Sequence, residues 1–171
     1  MPDKVLYTAE AVSTGDGRNG HVTSSDKLLD LDLAMPPELG GSGKGTNPEQ
    51  LFASGYAACF HSALKLVAGR ARVKVDGSTV TADVGIGPEG EGFGLEVTLT
   101  VALPGVDRAQ GQQLIESAHQ VCPYSRATRG NINVDLRLAR LRRRGSERLI
   151  TARCPIGWAP ERRSRPAGLA R

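Results

Sequence analysis

Cysteine and aromatic side chains are scarce in this chain, and neither scarcity is neutral. Three cysteines among 171 residues are too few, and odd in number, for a disulfide-stapled secreted scaffold. They fit a reducing cytosol, so a cytoplasmic location is expected. Aromatics make up 4% of the chain. That leaves no interleaved aromatic and basic pattern of the kind that stacks single-stranded nucleic acid. Long apolar runs are missing too. The longest uncharged helical stretch, residues 50–64, has 15 residues and carries Gln50 and His61, whereas a bilayer span needs about 20. Met1-Pro2-Asp3-Lys4 opens no signal-type apolar run. Membrane insertion is therefore not expected.

What is present suffices for a core. Hydrophobic residues are 39% of the chain, and the length fits one domain, or one domain with a tail. The net charge of +4 is unevenly spread. Residues 1–139 hold 12 basic and 16 acidic side chains, net −4; residues 140–171 hold 10 Arg and 2 Glu, net +8. The mildly acidic body gives no electrostatic case for nucleic-acid binding.

Periodicity divides the body into strands and two helices. Val5 to Ala9 reads as a short strand, followed by a loop with three glycines, residues 13–20. Leu29 to Met35 alternates apolar and acidic positions, the period of a half-buried strand, and Pro36-Pro37 ends it. A helix start follows: Asn47 can cap, Pro48 suits the first turn, and Glu49 favours the positive end of the dipole. From Leu51 to Val67 apolar residues fall on nearly every face, so this helix is expected to be buried on most sides. Strands are expected around Val80–Ile86 and Leu95–Leu103, with the glycine-rich segment 85–94 as a loop between them. Asp107 starts a second helix that Pro123 ends, and Ile132–Leu138 alternates as a last strand. The fold class is α+β, with a domain ending near residue 139. The arginine-rich tail, 140–171, lacks periodicity and reads as a poorly ordered extension.

Cys59 falls in the middle of the first helix and Cys122 at the end of the second. A single buried cysteine is most often just a small hydrophobe. Two on the two central helices make a dithiol plausible, although their separation cannot be read from spacing. Other constellations are weak. His61 and His119 lie near the cysteines, but no second compact pair completes a zinc pattern. The segment 40–45 has Lys44 but no Ser or Thr after it, so it is no phosphate loop. Ser125 has no spaced His/Asp partners for nucleophilic work.

The segment 47–60, Asn-Pro-Glu-Gln-Leu-Phe-Ala-Ser-Gly-Tyr-Ala-Ala-Cys-Phe, resembles the signature helix of the organic hydroperoxide resistance branch of the OsmC/Ohr superfamily. Segment 121–132, Val-Cys-Pro-Tyr-Ser-Arg-Ala-Thr-Arg-Gly-Asn-Ile, resembles that family's second cysteine motif, and Gly17-Arg18-Asn19-Gly20 its arginine loop. The likeness runs from about Val5 to Leu138. It implies an intertwined homodimer in which antiparallel sheets wrap central helices. It also implies a thiol peroxidase that reduces organic hydroperoxides, with Cys59 peroxidatic, Cys122 resolving, and Arg18 and Glu49 as the charged pair that tunes the reactive thiol. The implied reductant is dihydrolipoamide or a lipoylated enzyme subunit, with no metal or bound cofactor.

Residue chemistry is consistent with those roles. A thiol of pKa about 8.5 is only a few per cent thiolate at neutral pH. Lowering it by two units takes about 2.7 kcal/mol, a size that a guanidinium in a partly dry pocket can supply. Glu49 alone would oppose an anion, so its sensible role is to clamp Arg18. Glu49 and Cys59 are ten residues apart, about 15 Å along a helix. Either the helix breaks between them or the pair serves a second subunit's sulfur. Met35, Pro36, Phe52, Tyr56, Phe60 and Leu95 are the candidates to line an apolar substrate pocket. Two rival readings remain: an OsmC-type peroxidase of broader range, and a non-catalytic protein whose basic tail holds nucleic acid. The tail also raises the question of whether Cys154 competes with Cys122.

Overall fold

The structure, a computed structural model, describes residues 2–139. The tail 140–171 and Cys154 lie outside the described residues.

The chain is built as two three-stranded sheets joined through a long helix. Strands β1 (Ala11–Thr14), β2 (His21–Ser24) and β3 (Asp30–Asp32) form the first sheet in sequential antiparallel order. Helix α1 (Pro48–Arg70) follows, then β4 (Thr79–Glu89) and β5 (Gly92–Ala102) as a long antiparallel hairpin. Helices α2 (Arg108–Val121) and α3 (Pro123–Thr128) lead to β6 (Asn133–Leu138), which joins β5 in parallel. Every pair but β5–β6 is therefore antiparallel. A parallel partner needs a crossover, and α2 with α3 supplies it.

The core lies between the second sheet and the helices. Val97, Leu99 and Val101 of central strand β5 point to one side and are buried, while Thr98 and Thr100 alternate with them. Tyr56, Phe60, Leu64 and Val67 of α1 and Leu114, Ile115 and Ala118 of α2 close over them at helical spacing. Helix α1 begins where the residues require it. The Asn47 side chain accepts a hydrogen bond from the Gln50 amide at 2.9 Å, and Pro48 occupies the first position.

Four expectations need correction. The strand expected at 5–9 is absent: Val5, Leu6 and Tyr7 are exposed, because the last rung to β2 is Ser25 N–H to the Glu10 carbonyl. Upstream of that rung the backbone has no partner among the described residues. The glycine-rich segment 85–94 is mostly strand. Gly85 pairs with Glu96 and Gly87 with Gly94, which leaves the Gly90-Glu91 turn, where Gly90 adopts φ +58°. Pro123 ends α2 and also opens α3, a helix the periodicity did not suggest.

The fourth concerns α1, which is buried on one side only. Ser54, Ala58, Ser62 and Leu66 are exposed within one chain. By length and composition alone this 23-residue helix is apolar enough to cross a membrane, longer than the uncharged stretch counted from sequence. Here it packs against β4, α2 and α3. Both facts share a cause: apolar residues ring the helix, and one sheet with one helix layer covers only part of the ring.

The capping geometry yields a direct expectation. Asn47→Ala removes the acceptor for the Gln50 amide and should cost about 1 kcal/mol of stability. Urea unfolding should show a lower midpoint at unchanged slope.

Candidate active site

Cys59 sits on the inner face of α1, and Cys122 caps the joint between α2 and α3. Their sulfurs are 3.7 Å apart, both as free thiols. Cys122 is fully buried and Cys59 partly exposed, the asymmetry needed if one sulfur meets an external reagent and the other meets only its neighbour. The chain direction explains the meeting. Cys122 is held to the last turn of α2 by its N–H to the Ala118 carbonyl, and its own carbonyl accepts the Arg126 N–H of α3. The joint is thereby set against α1.

Gly55 makes the close approach possible. A Cβ there would stand 2.9 Å from the Tyr124 hydroxyl and 3.2 Å from its ring. With hydrogen in that place, Tyr124 lies over α1, stacked on Phe52 at 6.0 Å and tilted against Tyr56 at 5.6 Å. The Tyr124 backbone then acts on the Cys59 thiol in the direction that favours its anion.

Within one chain that is not enough. Burial, the largest effect, pushes the Cys59 thiol above its ordinary pKa, and the neighbouring Cys122 thiol pushes the same way. Arg18 is not among the groups acting on Cys59 in its own chain.

Arg18 is engaged elsewhere. It sits on the 3₁₀ turn Gly17–Asn19 between β1 and β2. A Cβ on the following Gly20 would fall 2.1 Å from the Thr14 carbonyl oxygen, so the turn demands glycine there. The guanidinium makes a two-pronged ion pair with Glu49 at the start of α1, at 3.0 and 2.6 Å. Two further bonds tie this corner: Met35 N–H to the Asn19 side chain at 3.1 Å, and Ala34 N–H to the Thr46 carbonyl at 2.8 Å. The hydrogen bond to Arg18 holds the Glu49 carboxyl below the usual carboxylate range, and the same bond raises the guanidinium. Because α1 is continuous from residue 48 to 70, the pair and Cys59 stay about 15 Å apart along one helix.

The six pocket candidates separate. Pro36 lines a groove of about 580 Å³ together with Leu39, Glu49, Ile86 and Thr98, and neither sulfur lines it. Met35 adjoins Pro36 at the half-buried corner. Phe52 packs beside Tyr124, near Cys59. Tyr56 and Phe60 are corrected: both are 0% exposed and belong to the core, where no ligand reaches them. Leu95 lines a hollow of about 410 Å³ on the β4–β5 hairpin that shares Gly85, Ile86 and Glu96 with the Pro36 groove, and neither sulfur lines it. Its place in the strand, opposite Ile86, puts it on the same face as Val97 but nearer the hairpin turn.

Several polar residues emerge only here. Ser125 and Thr128 are buried and bonded to Tyr56, a link that the i, i+3 spacing of two hydroxyls after Cys122 foreshadows only faintly. His21 bridges Asp30 and Asp32 across β2 and β3 at 2.6 and 2.8 Å. His61 bonds the Ser78 hydroxyl at 2.9 Å, a structural role. Among the described residues no group of three or more His, Cys, Asp or Glu is placed to hold a metal.

An α+β domain carrying a reduced dithiol across its central helices, with a clamped arginine on a neighbouring turn, defines a narrow class of redox protein. Residues 41–137 match the family described as OsmC-like protein, and the chain belongs to that family, in its organic hydroperoxide resistance branch. It is 58% identical over 140 residues to the organic hydroperoxide resistance protein of Xanthomonas axonopodis pv. citri, covering 81% of this chain and 98% of the relative. Among solved structures, an organic hydroperoxide resistance protein of Legionella pneumophila superposes with a TM-score of 0.76 at 49% identity, covering 80% of this chain and 99% of that one. OhrB of Bacillus subtilis does so with a TM-score of 0.73 at 45% identity, covering 79% and 100%.

The Arg18–Glu49 pair implies a pH dependence. A carboxyl whose folded pKa is lowered contributes stability above its unfolded pKa, about 4.3, and loses it as pH falls through the lower folded value. Wild type should therefore lose stability across that acid window faster than Glu49→Gln, as read by urea unfolding at a series of pH values.

Proposed function

We propose that this protein is a cytoplasmic thiol peroxidase that reduces organic hydroperoxides to alcohols. The observation that carries the reading is the 3.7 Å pair of free sulfurs, one partly exposed and one buried. The Cys59 thiolate attacks the terminal peroxide oxygen. The S–O bond forms as the O–O bond breaks, and the departing alkoxide takes a proton and leaves as alcohol. Cys59 is now a sulfenic acid. The Cys122 thiol condenses with it: the S–S bond forms, the S–O bond breaks, and water leaves. A dihydrolipoyl group, free or on a lipoylated enzyme subunit, reduces the disulfide by exchange and becomes the cyclic disulfide itself.

The guanidinium that the attacking sulfur needs comes, in this reading, from a second copy. The continuous helix keeps Arg18 and Glu49 from Cys59 of the same chain. Two surfaces lack a partner among the described residues: the outer side of α1, and the first sheet, whose strands hold no buried residue. A three-stranded sheet needs an apolar face covered to be stable. Two chains that exchange these surfaces bury both and deliver each arginine to the other's sulfur. The result is a symmetric homodimer with two sites. There the clamped guanidinium offsets burial, keeps the sulfur anionic, and donates to the peroxide as its O–O bond breaks. Phe52 and Tyr124 beside Cys59 favour bulky organic peroxides over hydrogen peroxide.

Two experiments test this. After one equivalent of cumene hydroperoxide, intact mass should show a disulfide in the wild type, no oxidation in Cys59→Ser, and a sulfenic acid in Cys122→Ser that a second equivalent carries to sulfinic acid. Dihydrolipoamide should sustain turnover by the wild type alone, with cumene hydroperoxide preferred to hydrogen peroxide; equal rates with both would favour a broader OsmC-type activity. In the second experiment Arg18→Ala and Cys59→Ser chains, each inactive, are unfolded, mixed and refolded. Exchange across a two-fold dimer should restore about a quarter of wild-type activity. No restoration would place the arginine and the sulfur in one chain.

A further inference from the structure

Beside the dithiol lies a buried cluster of three hydroxyls that the proposed chemistry does not use. Tyr56, one turn before Cys59 on α1, is 0% exposed, and its hydroxyl donates to the Ser125 hydroxyl of α3 at 2.9 Å. The same oxygen lies 3.2 Å from the Thr128 hydroxyl. Thr128 also donates within α3, to the Tyr124 and Ser125 carbonyls at 3.0 and 3.2 Å. Its own carbonyl accepts the Asn131 and Ile132 amides on the way to β6.

Helix α3 has six residues, Pro123–Thr128, with Cys122 as its N-cap, so whatever anchors it also sets the resolving sulfur. A helix this short has little stability of its own. Its contacts with α1 are of two kinds: the Tyr124 ring against Phe52, Gly55 and the Tyr56 ring, and the hydroxyl bond from Tyr56. The ring contact is apolar and tolerates sliding; the hydroxyl contact is directional and buried, where an unmade hydrogen bond is costly.

We propose that the Tyr56–Ser125–Thr128 cluster is a positioning device that keeps Cys122 within reach of Cys59, and so sets the rate at which the sulfenic acid closes to a disulfide. This rests on the dithiol reading above. The affected step is the condensation of Cys122–SH with Cys59–SOH to a disulfide and water; the preceding attack on peroxide does not involve Cys122. The cluster therefore divides two fates of the sulfenic acid, closure by Cys122 or a second oxidation by peroxide to sulfinic acid.

The test separates the two steps. Tyr56→Phe and Thr128→Val each remove a hydroxyl at nearly constant shape, and Thr128→Ser keeps it. Rapid mixing of the full-length protein with cumene hydroperoxide, followed by quenching and intact mass, resolves loss of the Cys59 thiol, sulfenic lifetime, disulfide and sulfinic product. Expected are an unchanged first step, condensation about tenfold slower in Tyr56→Phe, and a matching rise in the sulfinic fraction under excess peroxide. Thr128→Val should fall in the same direction, Thr128→Ser should match the wild type, and the Tyr56→Phe/Thr128→Val pair should be less than additive. Condensation at the wild-type rate in a folded Tyr56→Phe chain overturns the proposal, as does equal slowing of both steps. A wild type that forms no Cys59–Cys122 disulfide overturns the dithiol reading and this proposal with it.

Discussion

The structure turns on a contact between two helices that are far apart in sequence. Cys59 and Cys122 are 63 residues apart, and their sulfurs reach 3.7 Å only because the α2–α3 joint is pressed against the inner side of α1. Three small features allow it. Gly55 leaves room for the Tyr124 ring, Pro123 breaks one helix and opens the next, and Tyr56 reaches across to the hydroxyls of α3. Each acts on position and none on reactivity. The same burial that holds the sulfurs together also raises the Cys59 thiol, so packing alone places the cysteine well and disfavours its thiolate.

In the reading proposed above, reactivity comes from charge, and there the length of α1 is decisive. Its first turn holds Glu49, paired with Arg18; its middle holds Cys59; and no break lets one chain bring them together. A continuous helix is a rigid ruler of about 1.5 Å per residue. Rigidity thus converts an electrostatic requirement into an expectation about assembly. The uncovered side of α1 and the thin N-terminal sheet point the same way, because each leaves apolar or hydrogen-bonding surface without a partner among the described residues.

Much of this was legible from the residues. The Asn47 cap and Pro48 marked the start of α1, Asp107 that of α2, and alternation marked β5 and β6, because these signals are local and depend on neighbours a few residues away. The two cysteine motifs and the arginine turn pointed to the family before any distance was known. Segment 85–94 misled because glycine weakens any local preference, and only the register with β5 pulls it into the strand. Residues 5–9 misled the other way: β-prone side chains cannot form a strand where the backbone finds no partner.

Sequence by itself therefore determined the chemical inventory and the ends of the helices: two thiols, a carboxylate at a positive helix end, an arginine in a glycine turn, and an apolar helix ringed on all sides. Only the tertiary structure decided which of these meet. It joined sulfur to sulfur, joined arginine to glutamate, kept the two pairs apart, and moved Tyr56 and Phe60 from candidate pocket to core. The physical reason is range. Caps and periodicity act over one turn, whereas contact between groups 31 or 63 residues apart depends on how whole elements pack and on which surfaces that packing leaves open.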